Sequence, residues 1–396
     1  MGKKSIYLFL SCLSLVLLTG CWDQVQIERR GFVIGTAIDL SESGDLSTQT
    51  KRDSSFALTY QFVAPGEIGV KSQGQGGQQK PFFNVTAHGS NIFDITRGMA
   101  TKTSRTPYLG HLQLIVISSE VAKKPHAFAN ILDVFLRDHE MRRTVKVLVA
   151  SDKAKNVLDF KSTTEKLPAV HIDSVTENAH KNVAIAPPLQ IGDVHEYLLV
   201  ERSIAIPVIS MSKQNKPKIE RAAVYHGSSH KMVDVLSEEE TRGLNLIKGQ
   251  VEGGAITVNV QDSSVVYEIR RAKAKIKAKV KGKDDIQFTI TIETEGKIAE
   301  SFANIDYTDP TNISMVEKKV EEELNRLANV SIEKMHKDLQ VDAFDFGRYI
   351  KRSDYDLWQS IKGDWDAGEN YFAKSTITVQ TDAVIRSEGS VIETER

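Results

Sequence analysis

From Arg271 to Lys283 every second residue is basic: Arg271, Lys273, Lys275, Lys277, Lys279, Lys281 and Lys283 alternate with Ala272, Ala274, Ile276, Ala278 and Val280 until Gly282. Side chains of an extended strand point to opposite faces in turn, so a period of two makes this stretch β, with one charged and one apolar face. Past Gly282 a second strand follows, with Ile286, Phe288, Ile290 and Ile292 on one face and Glu293 and Glu295 on the other. A hairpin of the two sets acids beside lysines. The basic ladder has two readings, a contact for anionic lipid headgroups and a solvated edge whose lysines keep foreign strands away. The glutamates opposite neutralise part of the field and favour the second.

The start of the chain is equally specific. Lys3 and Lys4 precede an apolar run from Ile6 to Leu18, too short to span a bilayer as a helix, and then comes Leu18-Thr19-Gly20-Cys21. This resembles a lipobox, in which a cysteine thiol takes a diacylglyceryl group and the chain is cut just before it, making residues 1–20 a lipoprotein signal peptide and Cys21 the mature first residue. Loss of Lys3 and Lys4, with no acids among residues 1–20, changes the formal charge from -1 to -3. Cys12 goes too, which leaves Cys21 as the sole thiol and rules out an intrachain disulfide. Two acyl chains would anchor it durably, since about 0.8 kcal/mol per buried methylene makes one chain marginal. A near-neutral balance argues against nucleic acid as a partner.

A chain of 396 residues exceeds what one core usually serves. Residues 21–190 read as an N-terminal α+β domain. Its strands are Phe32 to Leu40, Phe56 to Val63, Leu112 to Ile117 and Val145 to Val149, and its helices carry Ile92, Ile95 and Met99, then Phe128, Ile131, Leu132 and Phe135. Ser151 is placed to cap a further helix bearing Ala154, Val157 and Leu158. Between Pro65 and Pro81 lies a loop whose Gly74-Gln75-Gly76-Gly77 lacks the strand and helix that a phosphate-binding turn needs. Pro187-Pro188 marks a boundary, and residues 191–262 read as a small middle α+β domain with strands Ile204 to Ser210 and Ala222 to His226, a capping box at Ser237 and Glu240, and a turn at Gly253-Gly254. Residues 263–386 form the C-terminal antiparallel sheet with a long helix from about Thr311 to Leu339, capped by Asp309 or Thr311, then a helix carrying Trp358, Ile361 and Trp365 and a strand Thr376 to Ile385. Residues 387–396 read as a frayed tail.

Nucleophilic chemistry finds little support. Cys21 is committed to lipid, no Gly-x-Ser-x-Gly occurs, and His226-Gly227-Ser228-Ser229-His230 falls in an expected turn, where chance proximity explains it better than a triad or a zinc pair. His111, beside a buried strand, reads as a structural histidine. The expectation is therefore no catalytic, metal or cofactor-binding residue.

Several segments together resemble one family, the Ger(x)C lipoproteins, which are the C subunits of spore germinant receptors. They are Cys21-Trp22-Asp23 with the strand Phe32 to Asp39, Tyr108-Leu109-Gly110-His111-Leu112, Phe135-Leu136-Arg137-Asp138, Ala222-Ala223-Val224-Tyr225, Glu239-Glu240-Thr241-Arg242-Gly243, Asp342-Ala343-Phe344-Asp345-Phe346-Gly347, and the pair Trp358 and Trp365. Asp345 stands where many members have glycine. The resemblance implies a three-domain α+β lipoprotein with mixed and antiparallel sheets packed by helices. It further implies a non-catalytic subunit lipid-anchored at the outer face of the spore inner membrane, working with a multi-spanning A subunit and a transporter-like B subunit in nutrient-triggered germination. The competing reading is a solute-binding lipoprotein of an importer, which needs strand-helix-strand repeats in both halves.

Overall fold

A computed structural model of the protein describes residues 29–42, 55–64 and 80–387, together with residue 2. The signal peptide, Cys21, the loop around Gly74 and the tail after Ser387 lie outside the described residues.

Among the described residues nine strands make the first sheet: β1 (Arg30–Leu40), β2 (Phe56–Val63), β3 (Phe82–Gly89), β4 (Thr106–Tyr108), β5 (Leu114–Ser118), β6 (Lys146–Ala150), β7 (Ile204–Met211), β8 (Pro217–His226) and β9 (Lys231–Val235). The order is β3-β2-β1-β5-β6-β7-β8-β9, with β4 pairing β1. Its centre, β1, β5, β6 and β7, is parallel, and both flanks are antiparallel hairpin strands. Every residue of β5 and β6 is buried, which is why Leu114 to Ile117 and Val147 to Ala150 read as apolar runs rather than alternations. Helices Ile92–Met99, Ala127–Leu136 and Ile191–Leu199 cover one face through Ile95, Phe128, Ile131 and Val194. Ala154–Val157 and Pro168–Glu177 cover the other through Val157, Ala169 and Ile172. Ser151 does not cap the helix at Ala154. The buried carboxylate of Asp39, at the end of β1, accepts from Ala154 N at 2.7 Å and Lys155 N at 2.9 Å and does that work from 115 residues away.

The second sheet has the order β10 (Gly254–Val260), β11 (Ser263–Val280), β12 (Ile286–Ser301) and β13 (Thr376–Ser387). β11 and β12 form the expected hairpin, with Lys273 opposite Glu293 and Arg271 opposite Glu295, and Lys275 Nζ reaches Glu293 at 2.7 Å. β10 pairs only with Ser263 to Ile269, so the basic half of β11 is a free edge among the described residues. That is where edge lysines deter foreign strands. β13 is parallel to β12, which makes this sheet mixed too. The helix Pro310–Ile332, with Asp309 accepting from Thr311 N at 2.8 Å, lays Val316, Val320, Leu324 and Leu327 on the core and passes into a π-helical turn over Glu333–Leu339. Full burial of one such side chain contributes about 1.5–3 kcal/mol. The protein is thus α+β, with mixed sheets carrying antiparallel hairpins and packed by helices.

The segment 191–262, expected as a separate small domain, has no sheet of its own. β7, β8 and β9 extend the first sheet and β10 joins the second. The cause is visible along β8, where Ala223 and Tyr225 face the first core while Ala222 and Val224 face the second, so one strand serves both. The capping-box helix Glu238–Lys248 then packs on the long helix. Gly243 sits at that crossing, and a Cβ there would lie 2.1 Å from Leu327 O. Gly243→Ala is therefore expected to lower the unfolding free energy by about 3 kcal/mol, measured by urea denaturation, because backbone must separate to admit the methyl.

Candidate functional site

Three buried aspartates, Asp342, Asp345 and Asp366, gather at the seam between the two sheets. Asp342, 5% exposed, follows the long helix and has its carboxylate enclosed by donors. Oδ1 accepts from Phe346 N at 3.0 Å, and Oδ2 accepts from Gly347 N at 2.9 Å and from Trp365 Nε1 at 2.7 Å. One side chain therefore closes the turn 342–347 and fixes the indole. Gly347 belongs to the same arrangement, since a Cβ would lie 2.5 Å from the Trp358 ring, which itself meets Trp365 edge-on at 6.0 Å. Phe344, Phe346 and Phe372 complete the aromatic surround.

Two further aspartates reach the first sheet. Asp366 Oδ2 accepts from Ser203 Oγ at 2.6 Å and from Asp342 N at 3.2 Å, while Ser203 Oγ accepts from Gly227 N at 3.1 Å. Asp345 pairs with Arg202 at 2.9 Å and Arg348 at 3.7 Å, and the Arg202 guanidinium lies over the Tyr197 ring at 4.5 Å. Asp345 has φ +67°, a left-handed conformation that glycine adopts freely and aspartate tolerates. Asp345 thus carries a salt bridge that a glycine at this position cannot make. Asp345→Gly is expected to relieve the backbone yet lower stability by about 1–2 kcal/mol net, because Arg202 then loses its carboxylate partner; thermal unfolding at low and high salt checks this.

Burial is the largest influence on Asp342 and pushes its carboxyl up to about 6, against the pull of Phe346 N, Trp365 Nε1 and Gly347 N. A carboxyl raised in the folded state stabilises most when protonated, so its contribution is complete below pH 3.8 and is lost as pH rises through about 6. From pH 5 to pH 7 this group is expected to withdraw about 1 kcal/mol, read as the difference in urea unfolding between the native chain and Asp342→Asn. A native chain that gains relative to the variant over that interval contradicts the assignment.

Beside the seam lies a cavity of about 350 Å³ lined by Tyr197, Arg202, Lys248, Asp345 and Arg348, with Asp193 and Glu196 at its wall. Desolvation holds the Lys248 ammonium below the usual lysine range, and Lys248 Nζ donates to Ala343 O at 3.4 Å. Three cations face three carboxylates in this lining, so the cavity favours neither sign of ion.

His226 to His230 form the turn between β8 and β9, as expected. His226 Nδ1 lies 2.8 Å from Ser229 Oγ, and Nε2 lies 2.9 Å from the main-chain oxygen of Asp366, an acid that spacing alone did not connect to it. The serine and histidine are three residues apart in one hairpin turn, Ser229 lies outside the 350 Å³ cavity, and the neighbouring Gly227 amide is taken by Ser203. The contacts close the turn and tie it to the second sheet. His111 is exposed and packs edge-on against Phe32 at 5.3 Å and Tyr108 at 5.8 Å. Among the described residues no group of three His, Cys, Asp or Glu is placed to hold a metal ion, and no helix is long and apolar enough to cross a membrane. Cys21 lies outside the described residues. Arg202, Ser203, Lys248 and Asp366 went unnoticed in the sequence; the signal that was present is a run of acids among aromatics, Asp342-Ala343-Phe344-Asp345-Phe346.

Comparison with known proteins places this architecture. Residues 23–211 match the spore germination protein N-terminal domain, and residues 220–389 match the spore germination B3/GerAC-like C-terminal domain. The chain is 30% identical to spore germination protein YndF of Bacillus subtilis (strain 168), over 96% of each chain, and 27% identical to spore germination protein B3 of the same organism, over 92% of each. The crystal structure of the GerBC protein superposes with a TM-score of 0.61 at 20% identity, covering 92% of this chain and all of that one.

Proposed function

Since the chain belongs to the GerAC-like family of spore germination proteins, matched in both its halves, we propose that it is the lipid-anchored C subunit of a nutrient germinant receptor. The anchor is Cys21, diacylglycerylated and exposed as the first residue when residues 1–20 are removed. The body then stands at the outer face of the spore inner membrane beside a multi-spanning A subunit and a transporter-like B subunit. Its contribution is structural and non-catalytic. The observation that carries this reading is the end-to-end match to germination proteins, supported by the basic start, apolar run and thiol of the leader.

The test is affinity capture from spore inner membranes. Co-recovery of the multi-spanning A and transporter-like B proteins is expected, together with loss of the response to particular nutrients on deletion. Recovery of neither, with tight saturable binding of a solute by the purified protein, would instead support an importer's binding lipoprotein. Against that alternative, the run of parallel strands β5, β6 and β7 belongs to the first sheet, while the second is built on the long β11–β12 hairpin with one parallel strand, β13, added.

A further inference from the structure

The position of β1 determines which end of the body an anchored chain must turn toward the bilayer. Seven residues lie between Cys21 and Arg29, the first described residue of the main body, and the eight steps at 3.3–3.6 Å each reach at most about 29 Å. β1 begins one residue later, where Arg30 pairs with Thr106 and lies over the Tyr108 ring at 4.2 Å. Arg30 also meets Glu140 at 3.9 Å, which brings the turn after helix Ala127–Leu136 to the same place.

Three properties coincide there. An open, largely apolar cavity of about 450 Å³ lies beside Thr106 and Pro107 of β4, which pair with the start of β1; Phe93, Leu109 and Phe135 line it, with Arg97, Arg137, Asp138 and Glu140 also in its wall. Phe93 is 55% exposed on its helix although the same helix buries Ile92, Ile95 and Met99, and Arg97 Cζ sits 5.0 Å over its ring. Charge is also unbalanced: residues 29–30, 92–106 and 133–143 hold eight basic against four acidic side chains, in a chain whose totals are 51 and 52. An exposed aromatic among arginines at the root of a lipid tether is the composition of a surface that rests in anionic headgroups.

We infer that this end of the first sheet, comprising helix Ile92–Met99, the loop through Lys102 and Arg105, and the turn at Arg137 to Arg142, is the membrane-facing surface, with Phe93 inserted among anionic lipid headgroups. The inference rests on the anchor at Cys21. It assigns the lysine ladder of β11 to solvent, because that ladder belongs to the other sheet.

The mature chain has no thiol besides the acylated one, so single cysteines placed at Phe93→Cys, Lys102→Cys and Lys279→Cys can each carry a fluorophore in the full-length lipoprotein. All three positions are exposed, so the fold tolerates them. The labelled proteins are bound to vesicles of phosphatidylcholine mixed with phosphatidylglycerol that carry a quencher at headgroup depth. Quenching severalfold stronger at 93 and 102 than at 279, weakened when phosphatidylglycerol is omitted, is expected. Stronger quenching at 279, or equal quenching at all three, overturns the assignment while leaving the anchor intact. Failure of every variant to sediment with vesicles identifies the anchor itself as wrong.

Discussion

Asp342→Ala is expected to lower the unfolding free energy by about 3–6 kcal/mol, the largest effect of any single substitution outside the hydrophobic cores. The substitution removes the acceptor for Phe346 N, Gly347 N and Trp365 Nε1 at once, in a place where water does not replace it. Each buried donor left without a partner costs about 1–3 kcal/mol. The indole of Trp365 is then free to leave its position against Phe288 and Trp358, so the tertiary signal of the tryptophans should broaden before the helices melt. Near-ultraviolet circular dichroism and urea unfolding read the two effects. Asp342→Asn supplies one carbonyl oxygen where two acceptors stood and presents an amide to the remaining donors, so it should fall between the native chain and alanine. An alanine variant within about 1 kcal/mol of the native chain contradicts the role given to this carboxylate.

Cys21→Ala is expected to shift the protein from the membrane pellet to the soluble fraction of spore extracts and to abolish the nutrient response that the native protein supports. Two acyl chains at about 0.8 kcal/mol per buried methylene make detachment of the native lipoprotein negligible, whereas the apolar run that remains in the variant is too short to span. The basic end near Phe93 adds surface attraction, but charge of this kind is screened within about 8 Å at physiological salt and does not replace the anchor. The folded body of the variant should unfold at the native urea concentration, since its described core begins only at β1. Membrane retention equal to that of the native chain would remove the anchor from the account.

The sequence made some elements legible and hid others for physical reasons. The hairpin of β11 and β12 was readable because one of its faces meets solvent, so period two is written in charge as well as in hydrophobicity. The long helix was readable through its stripe and its Asp309-Pro310 start. The division of residues 191–262 between two sheets was hidden, because β8 is apolar on both faces for two different cores and looks like any buried strand. Helix Pro168–Glu177 escaped notice because its buried positions are few and small, and Asp39 displaced Ser151 as a cap through a contact between residues far apart in the chain. The seam follows the same rule. Asp342 and Asp345 could be seen as acids in an aromatic run, but Asp366 and the groups that meet these acids from the first-sheet side, Arg202, Ser203 and His226, are distant in the chain, and no local pattern announces them. The anchor at Cys21 is the reverse case, a site written entirely in local sequence and lying outside the described residues.

The central claim is settled most directly by the intact mass of the native polypeptide purified from spore membranes. The account predicts a chain that begins at Cys21 and carries a diacylglyceryl thioether on that sulfur. An unmodified amino terminus upstream of Cys21 would contradict it.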